Sequence, residues 1–179
     1  MKIAVATKNA GKLKEFKELA EGTPYELIQM PETIRDLPPE TGETFYENAL
    51  IKAKFISQKL GVPAIGDDSG LEVDALDGRP GIFSARYSKT GLDYDNCLKL
   101  LNDMKRVQDE ARAARFRCCL VGYFKGKIIK SEGMLRGVIA TEFKGNKGFG
   151  YDPIFITENG LHLAELDNSE KNQISHRAD

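Results

Sequence analysis

A surplus of positive charge is the first thing this sequence lacks. Its 179 residues carry 26 Lys and Arg against 27 Asp and Glu, a formal net charge of -1, and the pI lies near 6.2. That balance excludes the basic footprint by which a protein holds duplex nucleic acid or an anionic membrane, so any anionic ligand must be held by local cations. Long apolar runs are missing as well. No window approaches the ~18 apolar residues of a membrane span, and the N-terminal run, Met1-Lys2-Ile3-Ala4-Val5-Ala6-Thr7, is far shorter than the ~7–15 residues of a signal core. We expect no targeting segment and a cytoplasmic protein. Cysteine is scarce: Cys97, Cys118 and Cys119 form an odd set without a C-x-x-C spacing. The adjacent pair falls in an apolar, strand-like run, which reads as buried free thiols in a reducing cytosol rather than metal ligands. Internal repeats, low-complexity tracts and linkers are absent. What is present, 41% hydrophobic and 30% charged residues, is ordinary for a folded chain, and the length suits one domain of ~100–200 residues.

Lys2 to Ala6 reads as a buried strand, followed by T-K-N-A-G-K (Thr7 to Lys12) and a helix whose Leu13, Phe16 and Leu19 recur every third residue. A loop at a strand-to-helix junction presents backbone N–H groups to an anion, and Lys8, Lys12 and Lys14 add charge nearby. A Walker loop is excluded, because it needs another glycine upstream and Ser or Thr where Leu13 stands. Taken alone, the segment reads equally as a lysine-rich solvated first turn. Tyr25 to Met30 is expected to form a second strand, and Pro31 to Gly42 an irregular connector, since prolines 31, 38 and 39 prevent regular pairing. Thr44 and Glu47 then make a capping box for a helix ending before Gly61, with Ala49, Ala53, Ile56 and Leu60 as its core stripe. Asn48 and Lys52 lie beside that stripe, and Glu40 and Glu43 just ahead of the helix. On local grounds such a lysine snorkels to solvent.

The stretch A-I-G-D-D-S-G-L-E-V-D-A, from Ala64 to Ala75, organises the rest. Apolar Ala64 and Ile65 end one strand, and Leu71, Val73 and Ala75 alternate as a half-buried strand does, so Asp67 and Asp68 are expected at a strand-to-strand junction. Two adjacent carboxylates repel and are costly to desolvate, and make best sense where a cation neutralises them. By itself the stretch reads as a plain Asp-Ser-Gly turn. Asp77-Gly78 is a turn and Arg79 to Ser88 a loop. Asp93 is expected to cap a helix carrying Tyr94, Cys97, Leu98, Leu101 and Met104, with Lys105 to Arg115 as a solvated connection. Phe116 to Phe124 reads as a central strand, turned by Lys125-Gly126-Lys127 into Ile128-Ile129, with Gly137 to Ala140 as a further strand. Lys144 to Pro153, K-G-N-K-G-F-G-Y-D-P, has its glycines in the wrong order for a dinucleotide fingerprint. An aromatic platform between glycines instead suits stacking of a flat base. Ile154 to Thr157 is expected as a strand, Asn159-Gly160 as a turn and Asp167 to Ile174 as a short helix. Ser175-His176-Arg177 nearly closes the chain, and such a terminal His-Arg pair is ordinarily solvated.

Taken together, T-K-N-A-G-K, E-T-G-x-T-F-x-E-N-A, D-D-S-G-L-x-V-D-A-L, G-x-P-G-I-F-S-A-R-Y, G-F-G-Y-D-P-I-F and S-H-R run in one order from Ile3 to Arg177. In this the chain resembles the inosine triphosphate pyrophosphatases, also called dITP/XTP pyrophosphatases. The resemblance implies an α/β fold of two lobes around a long mixed β-sheet flanked by helices. It also implies a homodimer and Mg²⁺-dependent hydrolysis of a purine nucleoside triphosphate to monophosphate and pyrophosphate. By likeness the segment Thr7, Lys8, Asn9, Ala10, Gly11 and Lys12 binds substrate, with Thr7, Asn9 and Lys12 on the triphosphate. Glu40 and Asp68 hold Mg²⁺, Asp68 is also the base, and Lys52 and Asp67 complete the catalytic set. Phe149 stacks on the base beside Gly150, Tyr151 and Asp152. Ser69 and Lys171 help to hold the substrate, and His176 and Arg177 read the purine O6. Members of this family usually continue beyond S-H-R into a final helix, which we expect a chain ending at Asp179 to lack, leaving one pyrophosphatase domain over residues 1–179. A related pyrophosphatase family of other base specificity shares the fold but not the pairing of G-F-G-Y-D with S-H-R. A non-catalytic nucleotide-sensing module would need no Asp-Asp-Ser stretch.

Overall fold

A computed structural model describes residues 1–174 and 177, apart from the side chain of Asn168. Six strands form a mixed sheet in the order β2-β1-β3-β4-β5-β6: β1 (Lys2–Ala6), β2 (Glu26–Gln29), β3 (Ala64–Val73), β4 (Ala113–Phe124), β5 (Lys127–Ile139) and β6 (Phe155–Thr157). Among the described residues four α-helices accompany them, α1 (Ala10–Leu19), α2 (Phe45–Leu60), α3 (Asp93–Asp103) and α4 (Asn168–Ile174). The chain is thus α/β, in two compact units: residues 1–68 with 118–132, and residues 69–117 with 133–179.

In the first unit β1 pairs in parallel with β2 on one side and β3 on the other. Helix α1 crosses from β1 to β2, and α2 from β2 to β3. Right-handed crossovers in opposite directions put the two helices on opposite faces of the sheet. The expected capping box starts α2: Thr44 Oγ1 accepts Glu47 N–H at 3.2 Å, while Glu47 Oε2 accepts Thr44 N–H at 3.2 Å. Gly61, left-handed at φ 69°, ends it. Ala49, Ala53 and Ile56 are buried, and Ile56 packs with Ala4, Ala6, Met30 and Ala64. The connector from Pro31 to Gly42 has no regular structure but adds Ile34 and Leu37 to this core.

In the second unit the core gathers Leu71 and Val73 of β3, Cys97 and Leu100 of α3, Phe116 of β4 and Phe155 of β6. The Phe116 and Phe155 rings lie 4.8 Å apart and tilted. Helix α3 buries Cys97 and Leu100, and its C-cap Met104 is buried too, whereas Tyr94 and Leu98 face solvent. Strand β6 pairs antiparallel with the end of β5. A short 3-10 helix, Gly81–Arg86, lies within the segment expected as a loop.

Four expectations are corrected. Asp67 and Asp68 lie within a continuous strand, because each carboxylate finds a lysine and needs no turn to reach solvent. The strand expected at Gly137 to Ala140 is the end of β5, whose largely exposed first half pairs without needing an apolar run. Asp93 is the first residue of α3, not its cap, and its carboxylate serves another backbone group. Arg112, placed on a solvated connection, is buried and donates to the carbonyls of Met104, Val107, Ile139 and Ala140.

One close approach sets the spacing of the first unit. A Cβ on Gly66 would stand 2.0 Å from the Ala49 carbonyl oxygen and 2.9 Å from Ala53 N, both backbone atoms of α2. Neither can swing aside, so Gly66→Ala should destabilise the protein by at least ~1–3 kcal/mol, the usual cost of overpacking. Urea unfolding measures this, and an unchanged midpoint would mean that α2 does not bear on β3 here.

Candidate functional site

Successive side chains of a strand point to opposite faces. Gly66 faces α2, so Asp68, two residues on, faces it too, while Asp67 points to the other side. Asp68 meets two residues of α2: Lys52 Nζ donates to Oδ1 at 3.1 Å, and Asn48 Nδ2 to Oδ2 at 3.2 Å. Lys52 Nζ also donates to Glu40 Oε1 at 2.8 Å. On the opposite face Lys12, from the first turn of α1, reaches Asp67 Oδ1 at 3.2 Å, and the Cys118 thiol donates to the same oxygen at 3.8 Å. Asn9 caps α1 by accepting Lys12 N–H at 3.0 Å, and Thr7 Oγ1 accepts Asn9 N–H at 3.1 Å. The strand-to-helix junction is therefore built by its own side chains.

Three carboxylates and two ammonium groups meet here: Lys12 pairs with Asp67, and Lys52 with both Glu40 and Asp68. Burial weakens the Lys52 ammonium, but Asp68 and Glu40 together overcome it and raise its pKa. Burial pushes Asp68 up; Lys52, shared with Glu40, offsets this in part, and the Glu40 charge adds to the rise. Among the described residues no group of three or more His, Cys, Asp or Glu side chains is arranged to hold a metal ion. The carboxylates of Glu40 and Asp68, brought to one lysine, are hard oxygen donors of the kind that suit Mg²⁺, which binds through one or two carboxylates together with waters and substrate phosphates.

The second unit carries a different cluster. Asp152 is buried and its Oδ2 accepts Lys171 Nζ at 2.6 Å and Phe149 N–H at 3.0 Å. Gly148, at φ 77°, makes room for this: a Cβ there would lie 2.0 Å from Asp152 Oδ2. Lys171 Nζ sits 4.5 Å from the centre of the Phe149 ring and the Arg177 guanidinium 5.9 Å from it. Arg177 Nη2 donates to Ser69 Oγ at 3.2 Å. Tyr151 is buried, and burial pushes its phenol far up; its hydroxyl donates to the Ser84 carbonyl at 2.8 Å. The result is an aromatic ring with two cations over it.

The structure thus brings Lys12, Glu40, Lys52, Asp67 and Asp68 together in one unit. It gathers Ser69, Phe149, Asp152, Lys171 and Arg177 in the other, with Gly150 and Tyr151 on the same loop as Phe149. Ala10 and Gly11 form the start of α1. Lys8 turns away, bonding the Arg35 carbonyl and Asp36, 3.0 Å from Oδ1. His176 lies outside the described residues. Sequence reasoning assigned no role to Asn48, which is fully buried and ties Asp68 to the Gly42 N–H, accepted at 2.8 Å. It also missed Ser84, whose Oγ accepts Leu71 N–H at 2.8 Å and donates to the Gly81 carbonyl at 2.6 Å. Both residues stand inside motifs quoted above, and that position was the available signal.

Residues 3–179 match the sequence profile of the Ham1 family. The chain is 50% identical over 182 residues to a dITP/XTP pyrophosphatase of Oceanobacillus iheyensis, covering 98% of this chain and 92% of that protein. It is 46% identical over 179 residues to the dITP/XTP pyrophosphatase of Bacillus subtilis, covering 98% and 90%. Among solved structures, a HAM1 protein from Coxiella burnetii matches with a TM-score of 0.89 at 39% identity, over 99% of this chain and 93% of the other. The Staphylococcus aureus Ham1 protein matches with a TM-score of 0.86, also at 39% identity and over 99% and 93%. Sequence over nearly the whole length and fold agree, and the chain belongs to the Ham1 family.

Proposed function

We propose that this protein hydrolyses ITP, dITP and XTP to the nucleoside monophosphate and pyrophosphate, and so removes them from the nucleotide pool. The observation that carries this reading is the cluster of buried Lys52 and Asp68 with half-buried Glu40, in a chain half identical to a protein named dITP/XTP pyrophosphatase. The family resemblance further supports one pyrophosphatase domain, working as a homodimer in the cytoplasm.

In this reading Thr7, Asn9 and Lys12 bind the triphosphate, and Asp67 fixes the Lys12 ammonium. Glu40 and Asp68 would hold Mg²⁺; when bound, the ion supplies positive charge to the phosphate oxygens. Ionised Asp68 takes a proton from water as water adds across the anhydride between the α and β phosphorus atoms, and pyrophosphate leaves as one piece. Lys52 keeps Glu40 and Asp68 in register and adds charge against the polyanion. Phe149 stacks on the base, and Arg177 donates toward the purine O6.

Excess chelator should abolish turnover, and Asp68→Asn should lose ~100-fold or more in kcat, as removal of a general base does. Full activity in chelator would overturn the metal role, and an active Asp68→Asn the base. A raised carboxyl contributes stability while protonated, and that contribution is lost as pH rises through its folded value. Added Mg²⁺ should restore it, so the Mg²⁺-induced rise in Tm should be larger at neutral than at mildly acid pH. An equal rise at both would detach the ion from Asp68.

The phosphorus-containing products discriminate between hydrolase types. Chromatography should find the monophosphate and pyrophosphate; a diphosphate as first product would replace this reading with a simple phosphatase.

Base selectivity rests on one edge of the purine. Hypoxanthine and xanthine carry a carbonyl at position 6 and adenine an amino donor, which offers no acceptor to a donor aimed at that edge, a mismatch of ~1–3 kcal/mol. ATP should be a poor substrate, with GTP between it and ITP. Arg177→Ala should lower the ITP-to-ATP ratio of kcat/KM; an unchanged ratio would remove Arg177 from base reading.

A further inference from the structure

One turn of a helix grips the loop that carries Phe149. Asp93 opens α3, and its Oδ2 accepts the Gly150 N–H at 2.7 Å. Cys97, four residues on and on the same helix face, donates its thiol hydrogen to the Gly150 carbonyl at 3.3 Å. Both polar backbone groups of one residue are therefore held by one helix. Gly150 stands at φ 63° with nothing within 4 Å of where a Cβ would lie, so backbone conformation and not crowding asks for glycine there. A glycine flanking the Phe149 ring would otherwise leave that ring free to change its plane. The helix can serve as an anchor because Leu100 and Met104 are fully buried, and Asn96 Oδ1 accepts Ser88 N–H at 2.7 Å. Burial, and then the charges of Asp93 and Asp152, push the Cys97 thiol up to about 12, which keeps it protonated and donating.

We infer that Asp93 and Cys97 are positioning residues for base recognition, a clamp on Gly150 that fixes the plane of Phe149 and with it the preference for one purine over another. This rests on the reading of Phe149 as the base platform. Asp152 holds the loop through the Phe149 N–H, but it is the α3 clamp that holds the peptide groups on both sides of Gly150. Losing it should disturb the placement of the base while leaving the carboxylates and lysines of the first unit intact.

The test compares Asp93→Ala, Asp93→Asn and Cys97→Ala with wild type, using ITP and ATP. Asp93→Ala should raise KM for ITP roughly tenfold with kcat within about twofold, and lower the ITP-to-ATP ratio of kcat/KM roughly tenfold, the scale of one hydrogen bond to a charged group. Asp93→Asn keeps a carbonyl oxygen for the Gly150 N–H and should restore wild-type values within about twofold. Cys97→Ala should shift KM and the ratio in the same direction by about threefold, and carries the test if Asp93→Ala does not fold. Amide exchange at residues 148–152 should quicken in Asp93→Ala. Unchanged KM and ratio in both truncations, or a fall in kcat alone that is equal for both nucleotides, would overturn the clamp. A wild type without preference for ITP would overturn the platform reading beneath it, whereas a preference that both truncations preserve would sink only the clamp.

Discussion

Everything in the first unit is arranged around one buried ammonium group. Lys52 is a helix residue on the edge of an apolar stripe, a place from which a lysine normally reaches solvent. Here it turns inward to two carboxylates, and both burial and charge make that costly unless the geometry is held firmly. Three features hold it. The capping box fixes where α2 begins, Gly66 lets that helix lie against β3, and Asn48 joins Asp68 to the backbone beside Glu40. Removing one partner from such a set typically costs ~3–5 kcal/mol, because the remaining charge stays buried. An arrangement this expensive for folding is understandable where charge is needed for chemistry.

The neighbouring carboxylates Asp67 and Asp68 illustrate how a strand divides labour. Adjacent in sequence, they face opposite sides of a sheet, and the two parallel crossovers supply a lysine to each: Lys12 from α1 and Lys52 from α2. The pair is thus not one bidentate site but two ion pairs, one of them shared with Glu40. On the Asp68 side burial pushes the carboxyl up, and its lysine is shared with Glu40.

The second unit solves a different problem, the display of an aromatic face on a glycine-rich loop. Its backbone donates to the Asp152 and Asp93 carboxylates and accepts from the Cys97 thiol, and Tyr151 anchors it through the Ser84 carbonyl. The 3-10 segment that contains Ser84 reads as a bare loop in sequence because the partners of the Ser84 hydroxyl and carbonyl, Leu71 and Tyr151, are distant in the chain. Arg112 makes the same point: its guanidinium donates four hydrogen bonds to backbone carbonyls at the ends of α3 and β5 and in the turn after α3.

Local signals settled much of this protein. Period and capping placed β1, α1, α2 and the β4-β5 turn, since hydrophobic spacing, Thr44 with Glu47, and Lys125-Gly126 act over a few residues. Motifs in a fixed order pointed to the Ham1 family and to the residues of the two clusters. Tertiary structure alone decided that Asp67 and Asp68 lie within one strand on opposite faces, that Lys52 turns inward, and that Asp93 serves Gly150 instead of its own helix end. In each case the choice belongs to a partner far away in sequence, 16 residues for Lys52 and Asp68 and 57 for Gly150 and Asp93. A polar side chain takes its conformation from whichever charge or backbone group burial leaves within reach, and only the folded chain determines which one that is.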